Sequence, residues 1–468
     1  MAFVSEISSL QLPRPYFRLD AEYFLPDRIA AGDLIKSYPR TAELRSLCSK
    51  LTQGPNPIFA EAGIPSLNGK NIYFGSASSG EPNFVSQDEF NRLNSYSLQR
   101  GDIVITLKHA TKIGRAWIIE TDEPLIFSRN VGIIRLRVDS PLSAPALLFY
   151  LWSEPGQKIL DRIATGGTTG QITLSMAYLG KMLVPIFPEG DQRELDRFYS
   201  IYRSLEAESS ALRQRADRVL ADGLGIPEID LREEIGYEAR MSVVAASRRW
   251  DAEFFKPKYA RLLEALKQTG EPIAGLVASA SLFTLLTNGH TPLRHDLEVG
   301  DVLFLTAEHV SDFHCDFTTD KRILLRHHLG ELARTALHDG DVLLTIKGKI
   351  GNCVVLRNCP PLANINQDVA LIKLKPGIHP YFFAAWVNST IGKQLTQKYS
   401  TGGINPFLGL GNVARLPFPL IDIATQMRIG ERVRELIEQS QSKANEAVRV
   451  LEEAQDVARE LILRDVQQ

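Results

Sequence analysis

Two stretches of the chain carry core-type residues at alternating spacings of three and four. In the first these are Leu195, Phe198, Tyr202, Leu205, Ser209, Leu212, Ala216 and Val219, and in the second Val433, Ile437, Ser440, Ala444, Ala447, Leu451, Ala454, Ala458 and Leu461. This alternation is the a/d seam of a coiled coil. Each seam lies in a proline-free, charge-rich run, Asp191 to Asp222 and Ala424 to Arg464, which predicts two long helices. Ser209 is the one polar residue in the first seam, and the small residues of the second permit close helix approach. Two such seams in one chain should pair, and an antiparallel arrangement suits a duplicated chain. A helix of about 31 residues rising about 1.5 Å per residue would separate its ends by about 45 Å. A dimerisation stalk fits the same pattern.

Outside the seams, short β-like runs predominate, and they occur twice. Arg18-Leu19-Asp20-Ala21-Glu22-Tyr23-Phe24 before Pro26 returns as Arg249-Trp250-Asp251-Ala252-Glu253-Phe254-Phe255 before Pro257. Gly101-Asp102-Ile103-Val104-Ile105-Thr106-Leu107-Lys108 returns as Gly340-Asp341-Val342-Leu343-Leu344-Thr345-Ile346-Lys347, and Lys112-Ile113-Gly114 as Lys349-Ile350-Gly351. Thr165-Gly166-Gly167 matches Thr401-Gly402-Gly403, Pro185 matches Pro419, and Gln192 matches Gln426, all in one order. A period far longer than a solenoid unit makes each copy a domain with its own core. With Arg135 to Val138 and Ala370 to Leu374 as further strands, the fold class expected is mixed α/β with twisted sheets. The expected order is a first domain over 1–190, a long helix over 191–222, a second domain over 223–423 and a second long helix over 424–468. Thr52 to Asn94 and Thr284 to Leu337 occupy equivalent places but differ in length and content, so the scaffold repeats while its insert changes.

Composition narrows the functional classes. The 44% hydrophobic and 23% charged residues describe a folded, water-soluble chain, and a net charge of -2 gives no global basic footprint for nucleic acid. A nucleic-acid-binding role would then require local positive charge, or charge supplied by partner subunits. Cys48, Cys315, Cys353 and Cys359 form no C-x-x-C pair, which points to buried, reduced thiols rather than disulfides or a zinc ribbon. Met1 to Leu12 lacks the pattern of a secretion signal, no run is long enough for a membrane span, and the expected location is cytoplasmic.

The paired Gly-Asp-aliphatic-Thr-x-Lys blocks with their Lys-Ile-Gly sequels, the Thr-Gly-Gly loops, Pro185 and Pro419, and Gln192 and Gln426 resemble the specificity subunits of Type I restriction-modification systems over nearly the whole chain. The resemblance implies a non-catalytic subunit without cofactor. It would read a bipartite double-stranded DNA target with one half per recognition domain. Its spacers would dock two DNA adenine methyltransferase subunits and, where restriction occurs, translocating nuclease subunits. The first copy departs from the second by the extra residues His109 to Thr111 between its Thr-x-Lys and Lys-Ile-Gly blocks.

Candidate DNA contacts follow from residue type. Lys108, Lys112 and Arg115, with Lys347 and Lys349, sit on turns after strands, where they could position phosphates or simply be solvated. Arg129 and Asn130, with Asn364, Asn366 and Gln367, carry groups suited to base edges, Arg to guanine and Asn or Gln to adenine. Gly166, Gly167, Thr168 and Gln171, with Gly402, Gly403 and Asn405, form loops whose bare backbone could approach DNA or make plain tight turns. Asp20, Glu22, Asp251 and Glu253 are better read as structural fasteners than as catalytic carboxylates.

Enzyme motifs are missing. The chain has neither the Gly-rich cofactor loop and Asn/Asp-Pro-Pro-aromatic motif of a methyltransferase nor a G-x-x-x-x-G-K-[ST] phosphate loop. Asp102 with Lys108, and Asp341 with Lys347, only partly imitate a metal nuclease. His290, His295, His309 and His314 with Cys315 match no zinc spacing, so no metal is expected. A coiled-coil scaffold of a defence assembly that does not read DNA is the alternative, and the mild net charge favours it slightly.

Overall fold

The computed structural model describes residues 21–60, 62–72, 83–109, 113–166, 172–232, 234, 236–268, 273–274, 282–292, 300–402 and 406–467. The chain forms two compact units, Met1–Ala207 with Ala444–Gln468 (unit 1) and Glu208–Lys443 (unit 2).

Unit 1 is built on an antiparallel sheet of β1 (Cys48–Gln53), β2 (Ile103–Thr106), β3 (Ala116–Ile118) and β4 (Val131–Leu136) in the order β1-β4-β2-β3. Unit 2 has β5 (Phe283–Asn288), β6 (Val342–Thr345), β7 (Cys353–Val355) and β8 (Val369–Leu374) in the order β5-β8-β6-β7. The two orders are the same, so the sequence repeat is a structural repeat. β4 begins earlier than the sequence suggested, because Val131 to Ile134 are wholly buried, and it ends before the exposed Val138.

The repeated residues show why the scaffold recurs. Gly101 and Gly340 adopt φ of 88° and 86°, which favours glycine. The following aspartates each accept a backbone N–H, Asp102 from Gln99 at 2.7 Å and Asp341 from His338 at 2.9 Å. Asp102, 1% exposed, also makes a bidentate pair with Arg135, whereas Asp341 has Lys373 at 3.4 Å. Both aspartates are therefore committed to structure. Gly156 and Gly392 begin matching helices, Glu154–Ile163 and Thr390–Tyr399, capped by Ser153 and Ser389. A Cβ at either glycine would lie about 2 Å from a backbone oxygen, 2.0 Å from Tyr150 O and 2.1 Å from Trp386 O.

The aromatic motifs are fasteners. Arg162 lies over the Tyr23 ring at 4.5 Å and donates to Tyr23 O, and Lys398 lies over the Phe254 ring at 3.7 Å and donates to Phe254 O at 2.6 Å. Asp251 pairs with Arg249, Glu253 accepts from the Tyr259 hydroxyl, and Glu22 faces Arg28 at 3.7 Å. Arg18 to Asp20 lie outside the described residues.

The long helices α1 (Glu189–Gly223) and α2 (Ile423–Gln467) begin on identical clips. Gln192 Oε1 accepts from Ser143 N while its Nε2 donates to Pro141 O and Phe187 O. Gln426 does the same with His379 N, Gly377 O and Ile421 O. Within unit 1 the start of α1 meets the end of α2 through Asp191 and Arg464 at 2.7 Å. Within unit 2, Glu208 pairs with Lys443 at 2.9 Å, and a Cβ on Gly223 would meet the Ile429 side chain, so the helices run antiparallel there. Leu195, Tyr202, Leu205, Leu451 and Leu461 are buried in unit 1, Val433 and Ile437 in unit 2, and Phe198, Leu212 and Val219 are half-buried. Tyr202 also packs edge-on against Trp117 of β3 at 5.3 Å, so the first seam serves the sheet as well as the partner helix. Ser209 is matched by a second polar residue. Its hydroxyl donates to Ser440 O at 3.0 Å, and the Ser440 hydroxyl donates to Ser209 O at 2.9 Å, with both side chains buried.

Candidate nucleic-acid interface

In both units the loop after the central strand meets the loop before its neighbour. In unit 1, Leu107 N donates to Asn130 O, Gln53 Nε2 donates to Arg129 O at 2.6 Å, and Gly54 N donates to Val131 O. In unit 2, Ile346 N donates to Asp368 O and Asn288 Nδ2 donates to Gln367 O at 3.2 Å. The Thr-Gly-Gly segment joins each cluster from the side. Strand Ala164–Gly166 pairs with Ile172–Leu174, which pairs with Lys108–His109, and Phe407 bridges Thr401 and Lys347 in the same way. The Thr165 and Thr401 hydroxyls donate to the carbonyls of Thr173 and Phe407, so Phe407 stands where Thr173 does. Gly114 N donates to Thr106 O and Gly351 N to Thr345 O, so the extra residues of the first copy leave the anchoring glycine in place.

Each unit thus gathers three separated segments at one end of its sheet. Lys108 and Asn130 are half-buried there, Arg129 and Gly166 are exposed, and Arg115 is half-buried and engaged through its backbone carbonyl by Thr106 N. Lys347, Lys349, Gln367 and Gly402 form the corresponding set, with Lys349 exposed and Gly402 at a φ of 89°. The Gln367 amide accepts from the Thr291 hydroxyl. Lys112, Gly167, Thr168, Gln171, Gly403 and Asn405, like His295, lie outside the described residues.

Two candidates are corrected. Asn364 is 0% exposed, and its amide is consumed by His328, Leu332 O and Thr335. Asn366 is 5% exposed and closes an Asx turn on Asp368, accepting from its N–H at 3.0 Å and donating to its carboxylate at 2.9 Å. Amides buried and engaged inside a domain are not presented to a base edge.

Other residues at the site were not signalled by residue type. Lys70 is exposed on the turn Gly69–Asn71, which is closed by reciprocal bonds of Asn68 and Asn71. A Cβ on Gly69 would lie 3.3 Å from Lys108 O and 3.7 Å from Asn130 O, which puts this turn against the cluster. Thr306 and His309 close the equivalent turn in unit 2, so His309 is a structural cap. Asp368 lies 3.6 Å from Lys347 Nζ, and the Phe407 ring lies 5.4 Å from the same atom. Among the described residues no group of three metal-ligating side chains is placed to hold an ion. Burial pushes all four cysteine thiols up, Cys48 and Cys359 to about 11 and Cys315 to about 12. Among the described residues no helix is long and apolar enough to cross a membrane.

No family model matches the chain, and no curated protein matches it. Solved structures do. The Type I restriction-modification S subunit from M. genitalium is 13% identical, with 90% of this chain and 95% of that chain covered at a TM-score of 0.44. The HsdS subunit from Thermoanaerobacter tengcongensis is 13% identical, with coverage of 90% and 96% and a TM-score of 0.31. A structure concerned with complex assembly and conformational transition of the type I R-M system is 13% identical, with coverage of 91% and 97% and a TM-score of 0.34. These are likenesses of fold.

Proposed function

We propose that the chain is the DNA sequence-reading subunit of a Type I restriction-modification complex. The observation that carries this reading is the repetition of one loop cluster, formed from the same three segments at the same end of the same sheet in both units. A duplicated scaffold with unlike inserts suits a bipartite target, one half read by each unit. Lys108, Arg129, Lys347 and Lys349 position phosphates, while Asn130 and Gln367 offer amides to base edges. The paired helices act as the ruler between half-sites and as the docking surface for two adenine methyltransferase subunits. The chemistry, and any restriction, belongs to those cytoplasmic partners.

The test is selection from a random duplex pool by the chain in the assembly purified with it. Enrichment of a two-part sequence is expected, and a non-reading scaffold would enrich nothing at any salt concentration. Deleting one heptad between Leu195 and Val219 should change the preferred spacing and leave both half-sequences intact. Loss of both half-sequences would contradict the ruler.

A further inference from the structure

Unit 1 displays two large apolar side chains in the segment that leaves its loop cluster at Gly54. Ile58 is 71% exposed and Phe59 50% exposed. They are not on a loose tip. Phe59 pairs with Val85 at the edge of the sheet formed by Phe59–Ala60, Asn83–Val85, Ile64–Leu67 and Ile126–Phe127. Ile58 N donates at 2.8 Å to Glu89, whose buried carboxylate is itself held by two bonds from Arg92. Pro55 and Pro57 stiffen the approach. An exposed, rigidly held apolar pair at the start of a strand that is outermost among the described residues is a liability unless something covers it.

Its surroundings say what does. Gly54 is pressed against the loop that carries Arg129, since a Cβ there would lie 2.3 Å from Ser128 O. Ile58 follows four residues later, within about 14 Å of chain reach of that loop. Lys70, Lys108 and Arg129 lie on the same cluster. Cations that grip phosphates next to protruding aliphatic and aromatic side chains are the arrangement by which proteins wedge base steps from the minor groove. Gly289 of unit 2 takes the place of Gly54, since a Cβ there would lie 1.8 Å from Ile365 O, and the residues that match Ile58 and Phe59, Leu293 and Arg294, lie outside the described residues.

We propose that Ile58 and Phe59 form an apolar wedge with which unit 1 unstacks a base step of double-stranded DNA, beside phosphates held by Lys70 and Arg129. This rests on the DNA-reading function above. The experiment uses the full chain in its purified assembly, the enriched duplex, and copies of that duplex carrying 2-aminopurine at successive steps. Wild type should brighten the probe at one step of the half-site read by unit 1. The double variant Ile58→Ser, Phe59→Ser should lose that signal and bind about ten-fold or more weakly, with an unchanged slope of log affinity against log salt, because apolar contacts release no counterions. Arg129→Ala should instead lower the slope by about one ion and keep the signal. Ile58→Leu with Phe59→Met should retain both affinity and signal. If the serine variant binds and brightens like wild type while Arg129→Ala weakens binding, the wedge is wrong and DNA reading stands. Loss of a companion subunit at unchanged DNA affinity would also overturn the wedge, making the edge a protein interface. If wild type enriches no duplex, the reading function falls and the wedge with it.

Discussion

The two units share a scaffold and differ in how they hold charge. In unit 1 a buried Asp102 grips Arg135 with two bonds, and Arg162 caps Tyr23. In unit 2 the same places hold Asp341 with a longer contact to Lys373, and Lys398 over Phe254. At the loop cluster, Lys347 is shared between the Asp368 carboxylate and the Phe407 ring, whereas Thr173 stands opposite Lys108. Backbone requirements, such as a glycine at positive φ or a capped helix start, were retained through the duplication. Side-chain pairs that merely need opposite charge were free to drift.

The comparison is tested most severely by Gly156→Ala and Gly392→Ala. Each puts a Cβ about 2 Å from a backbone oxygen, 2.0 Å and 2.1 Å respectively, so nothing flexible can yield. Both should cost about 3 kcal/mol or more in urea unfolding. A tolerant unit 2 would show that the two helix starts are not equivalent. Next, Asp102→Asn should cost about 3 kcal/mol and Asp341→Asn about 1 kcal/mol, because only the first leaves a bidentate, largely buried arginine without its partner. Equal losses would mean that the lysine pair is as strong as the arginine pair.

A pH experiment separates Arg162 from Lys398. Burial among Phe254 and Tyr259, with Arg249 nearby, lowers Lys398 from 10.5 to about 8. Between those values the unfolded chain holds a proton that the folded chain has released, so the contribution of Lys398 to stability should rise with pH across that window, by on the order of 2 kcal/mol, read as the difference between wild type and Lys398→Met because the buried thiols titrate with the opposite sign. Below about pH 8 both states are charged and the folded state carries the whole penalty. The matching difference between wild type and Arg162→Met should stay flat across that window, because an arginine keeps its charge there. The smallest effect is expected from Asp368→Asn, which frees Lys347. Affinity for the half-site read by unit 2 should increase a few-fold, roughly 1 kcal/mol, with a steeper salt dependence. Weaker binding would instead make the Asp368 carboxylate a base contact.

The seams, the repeat and the clips at Gln192 and Gln426 were legible in the sequence because each depends on spacing that helical or turn geometry enforces. Tyr202 shows where that legibility stops, since periodicity marks a buried face but not whether a helix or Trp117 covers it. Asn364 and Asn366 were misread because an amide suited to adenine is equally suited to a buried turn, and only burial distinguishes them. Lys70 and Phe407 join the cluster through long-range pairing, of Ile64–Leu67 with Ile126–Phe127 and of Phe407 with Lys347, which no local pattern encodes.

Unit 1 is completed by residues that are translated after the whole of unit 2. Its hydrophobic core contains Ala447, Leu451, Ala454, Ala458, Leu461 and Ile462, while unit 2 is contiguous from Glu208 to Lys443. The half that emerges first from the ribosome therefore waits, with apolar surface uncovered, until the other half has been made. A stop codon near residue 444 should unravel the earlier unit and spare the later one, the reverse of what a simple bead-by-bead chain would do.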